Sequence, residues 1–297
     1  NKGFFLYLYD YSGNIINIQK SINMRKIAIA LLFASALIVG ACGNTGSKKK
    51  DAGTKSEVSL QEQYLTQDLL IKIDSLIAGI QKLGVMPHMK AIDEGTLVLT
   101  DREKRIKPTF LMPLEKVNDL VTLNQKSRAL AVYAVDREIA QLYEMPLEEY
   151  DRVIAQLLVD TDNVSLMEGA EVKVEVNTMD VDSWIVTMGE DQLAKEQMHL
   201  FFETLGAGVL ESLYITSLDI PRYITYFNDQ TASEVTYRLL LVVDGIESLI
   251  PYHPELESIR GILEPLKVIN AINVKQLEEQ LNTLAADIAE GRNKLLD

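Results

Sequence analysis

The chain has 297 residues, 47% of them hydrophobic, and a formal net charge of −14. An acidic balance of that size repels phosphate backbones, so nucleic acid is not an expected partner. Cysteine occurs once, at Cys42, which rules out an intramolecular disulfide and leaves packing to hold a core that this length can readily bury.

Residues 1–23 start at Asn1 rather than Met and precede a complete export signal that begins at Met24, so they read as a non-native upstream extension. Met24-Arg25-Lys26 supplies a short basic segment, Ile27 to Val39 an apolar run, and Leu37-Ile38-Val39-Gly40-Ala41-Cys42 small residues before a lone thiol. Residues 24–41 therefore read as a lipoprotein signal peptide, with Cys42 as the lipid attachment site. The apolar run falls short of the roughly 20 residues that a spanning helix needs. Each buried CH₂ contributes roughly 0.8 kcal/mol, so several acyl chains on one cysteine suffice to hold a domain at a membrane. The expected product is tethered rather than integral. Its loss of Lys2, Lys20, Arg25, Lys26 and Asp10 takes the net charge from −14 to −17.

Residues 42–59, poor in apolar side chains, read as a lipidated flexible tether, with Lys48-Lys49-Lys50 a solvated charge run. An α-helical domain is expected over 60–297. Leu65, Leu69, Leu70, Ile73, Leu76, Ile77 and Ile80 recur at three and four and predict a helix from about Leu60 to Leu83, stopped by Gly84 and Pro87. Residues 85–112 read as an ordered connection with a short extended piece at Gly95–Thr100. Pro113 opens a helix to about Leu123, and a second stripe runs through Leu130, Tyr133, Ala134, Ile139, Leu142 and Tyr143. Pro146 precedes a helix through Leu158. Residues 161–188 lean helical, although Val172-Lys173-Val174-Glu175-Val176 alternates like a strand.

From about Asp191 to Leu218 the pattern is apolar on most sides, which places that helix at the centre of a bundle. Gly206-Ala207-Gly208 within it predicts close approach by a neighbour. Further helices are expected at 231–249, at 254–268 with Pro254 in the first turn, and at 274–295 with Asn273 as cap. The fold class is all-α, a multi-helix bundle after the signal and tether.

The chemistry is sparse. Glu196-x-x-His199 followed by Glu203 would put three metal ligands near one helix face, but the second Glu-x-x-His of a di-iron bundle is missing. His253 and Glu257 read as surface partners, and Met86, His88 and Met89 as a loop packed on the core. No G-x-S-x-G and no Gly-rich phosphate loop occurs. No catalytic residue, cofactor or metal is expected. Two carboxylates do interrupt apolar helix, Asp136 after Val135 and Glu211 after Leu210. Buried, each needs a partner or a proton. A structural polar pair with Tyr, Ser or Arg137 is the plainer expectation. The sharper one is a ligand pocket formed by Tyr133, Asp136, Glu211 and Tyr214.

Tyr133-Ala134-Val135-Asp136 and Gly208-Val209-Leu210-Glu211-Ser212-Leu213-Tyr214 resemble two helices of uncharacterised α-helical envelope lipoproteins of the Bacteroidota type. That group carries Tyr-x-x-Asp and, later, Gly-Trp-(Val/Ile)-Glu-x-Leu-Tyr, with Val209 here standing where the group has tryptophan. The resemblance implies an α-helical lipoprotein of the cell envelope and supplies no activity. Gly43 in place of a retention aspartate points to the outer membrane, and lysines in place of an acidic export stretch point to its periplasmic face. The expected role is a non-enzymatic binding or interaction module, with an envelope protein or a small molecule as partner and the membrane engaged through Cys42. The alternative is a metal-dependent or carboxylate-using envelope enzyme.

Overall fold

The computed structural model describes residues 54–163, 187–189, 191–192, 195 and 197–297, with side chains from residue 67 onward. The expected signal peptide and Cys42 lie outside the described residues, as do most of 161–188 and Glu196. Gln61–Asp297 fold as one compact unit. Its helices are α1 (Thr54–Gln81), α2 (Pro87–Asp93), α3 (Asp101–Lys104), α4 (Leu123–Leu142), α5 (Glu148–Asp160), α6 (Met198–Leu218), α7 (Ile220–Tyr223), α8 (Asp229–Leu249), α9 (Glu257–Leu263) and α10 (Val274–Lys294). Short 3-10 turns join several of them, and no strand occurs among the described residues. The fold is all-α. No helix among the described residues is long and apolar enough to cross a membrane.

Local chemistry sets the boundaries. Gly84, at φ 57°, takes a left-handed turn that most side chains avoid, and swings the chain from α1 toward Pro87 at the start of α2. Gly95–Thr100 forms no strand, yet its alternation is real: Leu97 and Leu99 are buried while Val98 is 73% exposed. Thr100 then closes a capping box with Glu103 to start α3. The helix expected after Pro113 is only a 3-10 turn, Leu114–Asp119, because Thr122 and Gln125 form a capping box that starts α4 afresh at Leu123. The segment expected as one helix over 254–268 is divided into 3-10, α and 3-10 pieces. Pro265 explains the second break, since it brings no N–H to the helix ladder. Asn273 Oδ1 caps α10 by accepting from Gln276 N at 3.0 Å, and Leu277, Leu281, Leu284 and Ile288 form its buried stripe.

Helix α6 is the axis of the unit: 15 of its 21 residues are buried, which only a helix surrounded by others achieves. Each fully buried Leu or Phe on it contributes about 1.5–3 kcal/mol of apolar transfer. Its most extensive neighbour is α4, followed by α10 and α8. The register with α4 follows from two polar contacts. Arg128 meets Glu203, and Asp136 meets Glu211, so an advance of eight residues on one helix matches eight on the other. The two helices are parallel, and the contacts form two rungs about 12 Å apart along the axis. Between them Gly208 faces Ala131, where an added Cβ would stand 3.5 Å from the alanine methyl.

Helix α5 returns antiparallel along α4, since Arg137 pairs with Asp151 and Lys126 with Asp160, each at 2.7 Å. That reversal allows α6 to run parallel to α4 after the intervening chain. The close approach expected at Gly206-Ala207-Gly208 comes partly from α9: a Cβ on Gly206 would stand 3.1 Å from Ile259 and Leu263.

Candidate functional site

The upper rung gathers the four side chains singled out above. Asp136 and Glu211 are 0% exposed and interact electrostatically across the α4–α6 interface. Asp136 Oδ2 accepts from Met112 N at 2.7 Å, whereas Oδ1 has no hydrogen-bond partner among the described residues. Two buried carboxylates this close repel when both are ionised, which favours a proton on one of them. Burial, and then the Glu211 charge, push the Asp136 carboxyl well above the ordinary aspartate range, so Asp136 is the member that favours the proton. Burial raises Glu211 as well, but the Arg292 guanidinium opposes that shift. Arg292 Nε lies 3.2 Å from Glu211 Oε2, its other end donates to Phe110 O at 2.9 Å, and its carbon sits 4.8 Å from the Tyr214 ring centroid.

Tyr133 turns its hydroxyl to Pro113 O, donating at 2.9 Å, and burial raises its pKa. Asp136 and Tyr133 thus bind two backbone groups of the chain that leads into α4, while Glu211 and Tyr214 hold the last turn of α10. Chemically the cluster is a clamp with two buried acids against one base, an imbalance that favours a proton held at Asp136. Arg137, its neighbour in sequence, serves α5 instead through Asp151. Arg292 is the member that sequence reasoning missed, since nothing local marks the partner of a residue 81 positions away.

The lower rung is a buried Arg–carboxylate fork. Arg128 donates through Nε and Nη2 to the two oxygens of Glu203, and Asn124 donates to Glu203 Oε1 at 2.8 Å. Arg128 also reaches Ser258 Oγ at 3.3 Å and Leu295 O at 3.4 Å. Glu203, a metal candidate in the sequence, is thereby committed to an ion pair.

A cavity of about 170 Å³ opens along the same α4–α6 interface, and none of the four clustered residues lines it. Its walls come from Ala134 and Val135 of α4, Leu205 and Val209 of α6, Met86 at the start of α2 and Met89 within it. Arg137, Glu138 and Arg238 bring charge, and Thr204 and Ser212 hydroxyls, to a mainly apolar lining, and Arg238 donates to Leu83 O at 3.2 Å. Burial raises the Glu138 carboxyl above its ordinary range. Met86 and Met89 therefore face the cavity while His88 does not wall it. His88 is fully buried against Tyr223 and Phe227, with ring centroids 5.3 and 6.1 Å away, and neither ring nitrogen has a hydrogen-bond partner among the described residues. Burial pulls its pKa down to about 3, which keeps the imidazole neutral.

His199, at the start of α6, stacks on His253 with centroids 4.1 Å apart. Glu257 forms an ion pair with Arg260; the carboxylate beside His253 is Glu255, at 3.3 Å. Comparison of the whole chain with protein-family models, with curated proteins and with solved structures finds no match.

Proposed function

We propose that the chain is a lipid-anchored protein of the cell envelope, held through Cys42 at the periplasmic face of the outer membrane, and that its helical domain is a non-enzymatic binding module. The likeness of its two central helices to Bacteroidota-type envelope lipoproteins supports the address, together with the signal-like residues 24–41. The apolar cavity between α4 and α6 carries the binding reading. A cleft walled by methionine, valine, leucine and alanine, with a few charged groups, suits a small, mainly apolar molecule. Arg137 on that wall is already paired with Glu138 and Asp151, which favours an uncharged molecule. The full burial of Asp136 and Glu211, off the cavity wall, weighs against their use as catalytic carboxylates.

Two experiments test the two halves. Mass spectrometry of the protein from native envelopes should find an acylated Cys42 and no residues 1–41; a bare thiol with the leader attached contradicts the anchor. Calorimetric titration with 1-octanol should show saturable binding that Ala134→Phe, which fills the cavity, weakens at least tenfold while the circular dichroism spectrum is unchanged. Absence of saturable binding, or binding untouched by that substitution, contradicts the pocket.

A further inference from the structure

We propose that His199, His253 and Glu255 form a binding site for a divalent transition-metal ion, with zinc the ion that the donor set fits best. The site is independent of the cavity and of its ligand. His199 stands in the first turn of α6, and the other two residues flank Pro254 on the turn between α8 and α9. Three residues of metal-ligating type thus meet from segments more than fifty positions apart in sequence, so no local spacing announces them.

The geometry is close to what coordination needs. His253 Nδ1 lies 3.3 Å from Glu255 Oε1, and His199 Nε2 lies 3.8 Å from the same oxygen. All three ligand atoms fall within 4.8 Å of one another. A tetrahedral ion with bonds of about 2.0–2.1 Å sets its donor atoms about 3.3 Å apart. One edge already has that length, and binding requires the two rings, now stacked with 14° between their planes, to turn out of the stack so that their nitrogens converge on the ion.

The turn that carries two of the ligands is braced. His253 N donates to Leu249 O at 2.8 Å, Leu256 N donates to His253 O at 3.1 Å, and Pro254 fixes its own φ. Less ordering remains for the ion to impose. The side chains of His199, His253 and Glu255 are 15%, 28% and 44% exposed, so an ion reaches them from solvent. His199 Nδ1, by contrast, is buried and meets no hydrogen-bond partner among the described residues, so that ring is not spent on holding the fold.

Two imidazoles and one carboxylate are a zinc set, with a fourth position left to water. Calcium and magnesium require more oxygen ligands than one carboxylate supplies. Glu203, four residues after His199, takes no part, because Arg128 and Asn124 occupy it.

The test uses the full chain in detergent, purified without a polyhistidine tag and stripped of metal with a chelator. Titration with zinc chloride against a chromophoric chelator should show one ion per chain. His253→Ala and Glu255→Gln, both on a partly exposed turn, should each weaken that affinity at least tenfold without changing the circular dichroism spectrum. Cobalt(II) in place of zinc should give the intense visible bands of a four-coordinate ion, lost in both variants. Failure of the wild type to retain zinc, or equal affinity in wild type and both variants, overturns the proposal.

Discussion

The two rungs that join α4 to α6 are built from the same parts in different proportions. The lower one sets one acid, Glu203, against one base, Arg128, and its stoichiometry calls for no proton. The upper one sets two acids, Asp136 and Glu211, against the single base Arg292. Both are buried, both bind backbone carbonyls as well as side chains, and they lie two helical turns apart on the same pair of helices. The difference shows that burial alone does not fix the chemistry of a carboxylate. The count of charges around it decides whether it stays ionised or takes up a proton.

The largest effect should come from unbalancing the lower rung. Glu203→Gln leaves the Arg128 guanidinium buried without a counter-charge, a loss of about 3–5 kcal/mol. Urea denaturation should show it as a fall in midpoint, and the double substitution Arg128→Met, Glu203→Leu should recover most of the loss. The matching change on the upper rung should be mild. Asparagine reproduces the shape and donor of a protonated aspartic acid, so Asp136→Asn should stay within about 1 kcal/mol of wild type at neutral pH. Equal losses from Glu203→Gln and Asp136→Asn would erase the distinction between the rungs.

Acid sharpens the comparison once a second buried group is separated out. His88 has its folded pKa pulled from 6.5 down to about 3, so below pH 6.5 the unfolded chain binds a proton that the folded one refuses. Its contribution is intact above pH 6.5 and is lost as pH falls toward 3, amounting to about 3 kcal/mol at pH 4. His88→Leu should remove that loss, read as a flatter stability curve between pH 7 and pH 4. Asp136 has the opposite sign. Its folded pKa is raised, so its contribution is complete below the unfolded value near 3.8 and declines as pH rises through the folded one. In the His88→Leu background, Asp136→Asn should therefore flatten the remaining decline on the alkaline side.

The smallest effect belongs between the rungs. Gly208→Ala places a methyl at an ordinary 3.5 Å contact with Ala131 and gains helix propensity, so stability should rise by up to about 1 kcal/mol. Gly245→Ala is the control for a tight site, since its Cβ would fall 2.0 Å from the Phe202 ring. It should lose about 1–3 kcal/mol or more by overpacking, measured by the same urea titration.

The sequence shows the helices where periodicity and caps agree. Asn273 and the leucine stripe of α10 mark it at both levels, and the greasy pattern of Leu200 to Ile215 places α6 at the centre. It fails where punctuation competes with periodicity, as at Pro113, whose expected helix gives way to the capping box of Thr122 and Gln125, and at Pro265, which divides the next segment. For the polar clusters, an acid within an apolar run signals that a partner exists, and Asp136 and Glu211 show this plainly. The identity of the partner is a tertiary fact. Arg292 occupies the last turn of the final helix, where a basic residue is expected for the helix dipole alone, so its role carries no distinguishing mark. The histidine–glutamate cluster at His199, His253 and Glu255 is hidden for the same reason.

Infrared spectroscopy of protein labelled with carbon-13 at the aspartate side-chain carboxyl tests the proton held at Asp136 most directly. At neutral pH the wild type should show the carbonyl stretch of one protonated aspartic acid, absent from Asp136→Asn. A wild-type spectrum containing only ionised aspartate would contradict the account of the upper rung.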